Sequence, residues 1–201
     1  DVYKRQAQCW GSGGAGVEIH NGTFKMYGGT ISDNYEENTG SNYGGGGVCA
    51  HSSGTFTMYG GTINNNHSVT DAGGVTVVGG DAMNMYGGTI KNNTAKNGGA
   101  FFSTTGGTIN MTGGTISGNT ATMNSNDAGG GAIYMRGNGK INISGSAQIT
   151  GNSSSLDGGA ILMGWGEINI SGSAKINSNT ASRWGGAICL RQDSNQSTML
   201  Y

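Results

Sequence analysis

The stretch "FKMYGGTISDN" (residues 24–34) returns as "FTMYGGTINNN" (56–66) and again as "MNMYGGTIKNN" (83–93). With the tyrosine dropped and the apolar identities relaxed, it extends to "TINMTGGTISGN" (108–119), "KINISGSAQITGN" (140–152) and "EINISGSAKINSN" (167–179). Repetition on this scale is the signature of a repeat architecture and takes precedence over any local reading. Three apolar columns run down the copies. The first is Phe24, Phe56, Met83, Ile109, Ile141 and Ile168, and the second is Met26, Met58, Met85, Met111, Ile143 and Ile170. The third, after a Gly-Gly or Gly-Ser corner, is Ile31, Ile63, Ile90, Ile116, Ile149 and Ile176.

The first two columns lie two residues apart with Lys25, Thr57, Asn84, Asn110, Asn142 or Asn169 between them. Period two with polar separators reads as a half-buried strand. A helix would need apolar spacings of three and four, and 42 glycines in 201 residues would each cost a helix interior roughly 1 kcal/mol relative to alanine. A second phrase precedes each copy: "AGVEI", "GGVCA", "GGVTV", "GGAFF", "GGAIYM", "GGAILM" and "GGAICL". It places Val17, Val48, Val75, Phe101, Ile133, Ile161 and Ile188 on one face. Glu18, Cys49, Thr76, Phe102, Tyr134, Leu162 and Cys189 fall on the other, read as outward.

Strands this short bury little alone, so the units must stack. If each unit is one turn of a coil and successive turns pair in parallel about 4.8 Å apart, the columns fuse into one core and the backbone ladders find partners. The sequence therefore predicts an all-β parallel β-helix, a solenoid of about seven coils with three short strands each. Residues 1–12 read as an entry segment, of which 1–6 break the periodicity and resemble translated adapter sequence. Residues 13–201 read as a single β-helix domain, expected to be a fragment of a longer protein. Asn34, Asn66, Asn93, Asn119, Asn152 and Asn179 each follow the third isoleucine by three residues. They are expected to form a structural amide ladder in a turn, with asparagine in the left-handed backbone region.

Units that join Gly-Gly-Ala and an aliphatic residue to a later apolar-x-x-Asn resemble the repeats of chlamydial polymorphic outer-membrane proteins, with Ile where that family usually has Phe. The wording "GGTISGNTA" (113–121) is similar to β-helix-repeat surface proteins of Gram-positive gut bacteria. The resemblance implies a right-handed parallel β-helix exported to the cell surface, a cell-wall- or outer-membrane-anchored, adhesin-like or autotransporter-like protein. It brings no catalytic residues.

Formal charge is nearly balanced, with ten Lys and Arg against eleven Asp and Glu, and the basic residues are scattered, so no nucleic-acid or anionic-membrane footprint is present. No apolar run reaches the roughly 20 residues that span a bilayer. Cys49 and Cys189 sit five coils apart, too far for a disulfide, while Cys9 with Cys49 at the coil entry stays open beside a reading as thiols. Uncapped coil ends would expose strand edges and favour self-association.

Candidate chemistry lies on the outward side chains. Tyr27, Tyr59 and Tyr86, with Lys25 beside them, form an aromatic strip suited to a glycan or a host surface protein, although stacked tyrosines also stabilise neighbouring coils. Glu36, Glu37, His67 and Asp71 form an alternative acid/base cluster for a polysaccharide lyase or hydrolase; the pectin-hydrolase signatures are absent, and the chain is read as a non-enzyme needing no cofactor. Asp71, Asp127 and Asp157 precede Gly-Gly corners where they could meet calcium, with hydrogen bonding to the local turn as the default. Trp165 and Trp184 read as packing over glycine corners. His20 and His51, on adjacent turns, lack the further ligands that a metal site needs, so no metal site is assigned.

Overall fold

The computed structural model describes residues 6–7, 13–14, 16–37, 44–79, 82–104, 106–123, 128–191 and 198–200. Cys9, Trp10 and Asp127 lie outside them, so the Cys9–Cys49 pairing and the calcium reading of Asp127 do too. Every assigned element is a strand, and the paired strands run parallel from coil to coil. The fold is a parallel β-helix.

Register follows the columns residue by residue. Ile63 pairs with Ile31 of the preceding coil and Ile90 of the next, and the column continues through Ile116, Ile149 and Ile176. Phe24, Phe56, Met83, Ile109, Ile141 and Ile168 stack likewise. The middle members of these columns are buried within one continuous core that also holds Val48, Val75, Phe101, Ile133 and Ile161. Burying an aliphatic side chain of this size contributes about 1.5–3 kcal/mol, and stacking lets every coil do so without a second layer of structure.

Among the described residues, six coils add to the expected strands a fourth of two residues. Tyr35–Glu36, His67–Ser68, Thr94–Ala95, Thr120–Ala121, Ser153–Ser154 and Thr180–Ala181 line up in one seven-stranded sheet whose first member is Gln6–Ala7. Ala95 and Ala121 are fully buried in it. In two coils the first and second strands merge into the long strands Ile133–Ile143 and Ile161–Ile170, which pair around an irregularity between Met135 and Asn138.

The face of the first strand read as outward is covered from the second coil on, and only Glu18 of the first coil stays exposed among that row. Cys49, Thr76, Phe102, Tyr134, Leu162 and Cys189 are all buried, and Ala72, Phe102, Tyr134, Leu162 and Cys189 form a second apolar cluster. The cause is the segment leading into the Gly-Gly corner, which doubles back across the first strand. A methyl group at Gly98 or Gly130 would collide with the carbonyl oxygen of Phe101 or Ile133. Thr76 Oγ1 donates to the Gly44 carbonyl at 2.7 Å, fastening the cover of one coil to the strand of the next.

The asparagine ladder is present and runs in one direction. Nδ2 of Asn34, Asn66, Asn93, Asn119 and Asn152 donates to Oδ1 of the asparagine one coil on, at 2.8–3.0 Å. The second amide proton of Asn66, Asn93, Asn119 and Asn152 reaches back to the carbonyl of the third isoleucine of the preceding coil, at 3.0–3.1 Å. The left-handed residue is the one before each ladder asparagine: Asp33, Asn65, Asn92, Gly118, Gly151 and Ser178 have φ of 53–64°. That kink turns the following side chain inward, where its amide satisfies backbone groups that the corner strips of ladder partners.

Candidate functional site

Inward side chains are committed to the core and the other face of the first strand is covered from the second coil on, whereas the outer flank of the second strand is open and carries three exposed tyrosines. Alternation puts Lys25 and Tyr27 outward on either side of buried Met26. The stacking then repeats them as rows along the axis. Tyr27 and Tyr59 lie with ring centroids 4.8 Å apart and planes 4° from parallel, and Tyr59 and Tyr86 follow at 5.1 Å and 16°. They are 69 %, 43 % and 50 % exposed, and Trp184 is the one other large hydrophobic residue among the described residues that is exposed to this degree. Three of the four such groups thus share one strip.

The Gly-Gly corner holds the strip in place. The first glycine lies against the preceding coil: a methyl group on Gly60 would sit 2.6 Å from the Tyr27 carbonyl oxygen. The second has left-handed φ, 91° at Gly61 and 85° at Gly88, and accommodates the methionine methyl of the coil before it. Thr112, Ser144 and Ser171 occupy the row in later coils, so the aromatic surface is three coils long.

Beside it runs a row that begins with Lys25 and Thr57 and becomes a second amide ladder. Asn110 donates to Asn84 at 2.9 Å, Asn142 to Asn110 at 2.8 Å and Asn169 to Asn142 at 2.9 Å. These bonds point toward earlier coils, opposite to the inner ladder. The separators were legible only as polar residues; their identity at four successive coils was the signal for a ladder. Chemically, the flank offers three flat aromatic faces beside the Lys25 ammonium group and the Asn84 amide, with Thr57 buried between them, and the aligned amides continue past the last tyrosine. Such a surface fits an extended ligand with apolar faces and hydrogen-bonding edges.

The acid/base cluster does not assemble as a dyad. Glu36 pairs in register with Ser68, and His67 with Tyr35, so Glu36 and His67 belong to opposite faces of the fourth strand. The Glu36 carboxylate is buried and accepts from Ser68 Oγ at 2.7 Å and Thr70 Oγ1 at 3.1 Å. The His67 ring stacks on Tyr35 at 4.8 Å, and burial lowers its pKa against the opposing charge of Glu36. Glu37 is exposed. Asp71 is buried, and its pKa is pushed up to about 6, chiefly by desolvation with a contribution from Glu36, while Asn97, Gly44 and Arg136 act against the shift.

Asp157 is engaged by two arginines. It is fully buried, and its carboxylate accepts Arg183 Nε at 2.8 Å and Arg183 Nη2 at 2.7 Å, with Arg191 Nη2 on the same oxygen as the latter. Burial works to raise its pKa, yet the two guanidinium groups outweigh that and hold the carboxyl below its usual range. Two positive charges around a carboxylate oppose the approach of a hard cation. The Arg183 guanidinium also lies over the exposed Trp184 ring, 4.3 Å from its centroid, a cation–π contact. The Trp165 indole N–H is buried without an acceptor among the described residues.

Two stretches, residues 113–136 and 173–191, match the model of the Chlamydia polymorphic membrane protein repeat. None of the curated proteins and none of the solved structures compared with the chain matches it. Each matched stretch runs from the corner through the third isoleucine and ladder asparagine, Ile116 with Asn119 or Ile176 with Asn179, to the first strand of the next coil. Over about a fifth of its length, the chain is therefore similar to polymorphic membrane protein repeats, and the matched pieces are those that join one turn of this β-helix to the next.

Proposed function

We propose that this chain is a rigid segment of a bacterial cell-surface or outer-membrane protein, and that its tyrosine strip is adhesive, binding glycans or glycan-bearing proteins on another surface. The repeat matches support the surface placement. The observation that carries the adhesive reading is the stack of Tyr27, Tyr59 and Tyr86, exposed in one line beside Lys25. Exposed aromatic residues of this size are ordinarily dispersed, and an aligned set is characteristic of recognition surfaces.

The test is binding of the purified chain to a glycan array and to immobilised mucin. Tyr59→Ala should weaken binding at least tenfold, and Tyr59→Phe should keep most of it. A wild-type chain that binds neither surface defeats the proposal. A second reading, a carbohydrate-active enzyme, has the raised pKa of Asp71 in its favour, as a general acid requires; against it stands the separation of Glu36 from His67. Release of reducing ends or unsaturated products from pectin, alginate or host glycans, abolished by Asp71→Asn, would establish that reading instead.

A further inference from the structure

Glu18 and His20 lie two residues apart on the strand Val17–His20, so both point outward, and His51 is the register partner of His20 on the next coil. The three side chains converge on a single oxygen. His20 Nε2 and His51 Nε2 are each 2.9 Å from Glu18 Oε1. The two imidazoles are edge to face, with centroids 3.5 Å apart and planes at 73°. One donor atom from each residue lies within 4.8 Å of those of the other two.

We propose that Glu18, His20 and His51 form a binding site for a divalent transition metal of the zinc class. With its proton on Nε2, a neutral imidazole can donate to the shared oxygen; with the proton moved to Nδ1, each ring instead offers an Nε2 lone pair, and a metal ion accepts one from each ring and one from the carboxylate. Zinc binds imidazole nitrogen and carboxylate oxygen at about 2.0–2.2 Å, and tetrahedral bonds of that length put donor atoms about 3.4 Å apart. Each 2.9 Å separation then opens by about half an ångström on that geometry, within the reach of side-chain rotation.

The surroundings suit the ion. His51 is buried, which fixes one ligand, while the His20 side chain is 61 % exposed. The site therefore opens to solvent, and water completes the coordination that three protein ligands leave unfilled. The Ser52 hydroxyl lies 3.4 Å from His51 Nδ1, placed to approach the proton that a metal-bound ring retains on its other nitrogen. Two imidazoles with one carboxylate favour zinc-class ions over calcium or magnesium, which require several oxygen ligands. Because the ligands come from adjacent coils, a bound ion ties the first turn to the second.

The experiment uses the untagged full chain, stripped with a chelator and titrated with Zn²⁺ by calorimetry and with Co²⁺ by visible absorption. One equivalent should bind, with the intense d–d bands of low-coordinate cobalt, and saturating zinc should raise the melting temperature. His20→Ala removes a solvent-exposed ligand, and Glu18→Gln keeps a carbonyl for both imidazole protons while removing the charge. Each should weaken binding at least tenfold and abolish the thermal shift, with an unchanged circular-dichroism spectrum. A wild-type chain that takes up no zinc, or variants that bind as wild type does, would overturn the proposal.

Discussion

Asn93 Oδ1 receives two hydrogen bonds from Asn66 along the coil axis, from the side-chain amide at 3.0 Å and from the backbone N–H at 2.9 Å, and the Asn93 amide continues the chain of bonds to Asn119. Asn93 also donates to the Ile63 carbonyl at 3.1 Å. Its removal therefore strands donors on one side and an acceptor on the other. A buried unpaired polar group costs about 1–3 kcal/mol, so Asn93→Ala should lower stability by about 3 kcal/mol or more in urea denaturation. Asn169→Ala, at the end of the half-buried outer ladder, removes bonds to Asn142 Oδ1 and Glu167 Oε1 whose acceptors water can reach, and should cost less than Asn93→Ala, about 1 kcal/mol.

Ser178 occupies the left-handed position that Gly118 and Gly151 hold in other coils. A non-glycine residue there is strained by about 1 kcal/mol. Ser178→Gly should raise the denaturation midpoint by a corresponding amount, less the entropy that glycine adds to the unfolded chain. Gly151→Ser should do the reverse.

The first corner glycines of successive coils are not equivalent. A methyl group on Gly28 meets nothing within 4 Å, whereas one on Gly60 meets the Tyr27 carbonyl oxygen at 2.6 Å, and one on Gly87 the Tyr59 oxygen at 2.5 Å. Gly28→Ala should change stability by less than about 1 kcal/mol in either direction. Gly60→Ala forces a backbone shift at the tyrosine stack, so it should lower the melting temperature and weaken ligand binding together.

The pKa of Asp71 is raised from 3.8 to about 6 in the folded chain, so folding favours its protonated form. Between about pH 4 and 6 the folded state holds a proton that the unfolded state has released. Stability then falls as pH rises through that window. Above it the penalty is constant, at most about 3 kcal/mol for a shift of two units. His67, whose pKa is lowered by burial, acts oppositely: its contribution is present above the unfolded value of 6.5 and declines as pH falls below it. Comparison with Asp71→Asn isolates the first effect. The variant should be the more stable at pH 8, with the difference vanishing near pH 4 in denaturation measured across the range.

The apolar columns were fully legible because a parallel stack obliges equivalent residues to recur in register, and the ladder asparagines recur for the same reason. Less legible was the fourth strand, since two residues carry no period; the wording Asn-Thr-Ala at 93–95, 119–121 and 179–181 was its trace. The covered face of the first strand escaped the reading because alternation says which side a residue takes and nothing about whether a loop crosses over it. Phe102, Tyr134 and Leu162 in that row were the warning. The tyrosine strip was visible as a column. The convergence of Glu18 with His20 and His51, and of Arg183 and Arg191 on Asp157, depends on side-chain reach between coils, which spacing along the chain does not encode.

Both ladders and all the strand pairings bond each turn to its immediate neighbours. Load applied by pulling on a free end is consequently borne one turn at a time, and the chain should peel like tape from a spool instead of rupturing throughout. What survives the peeling retains its cross-section, and with it whatever portion of the aromatic strip it still displays, so a shaft of this kind shortens under tension before it lets go.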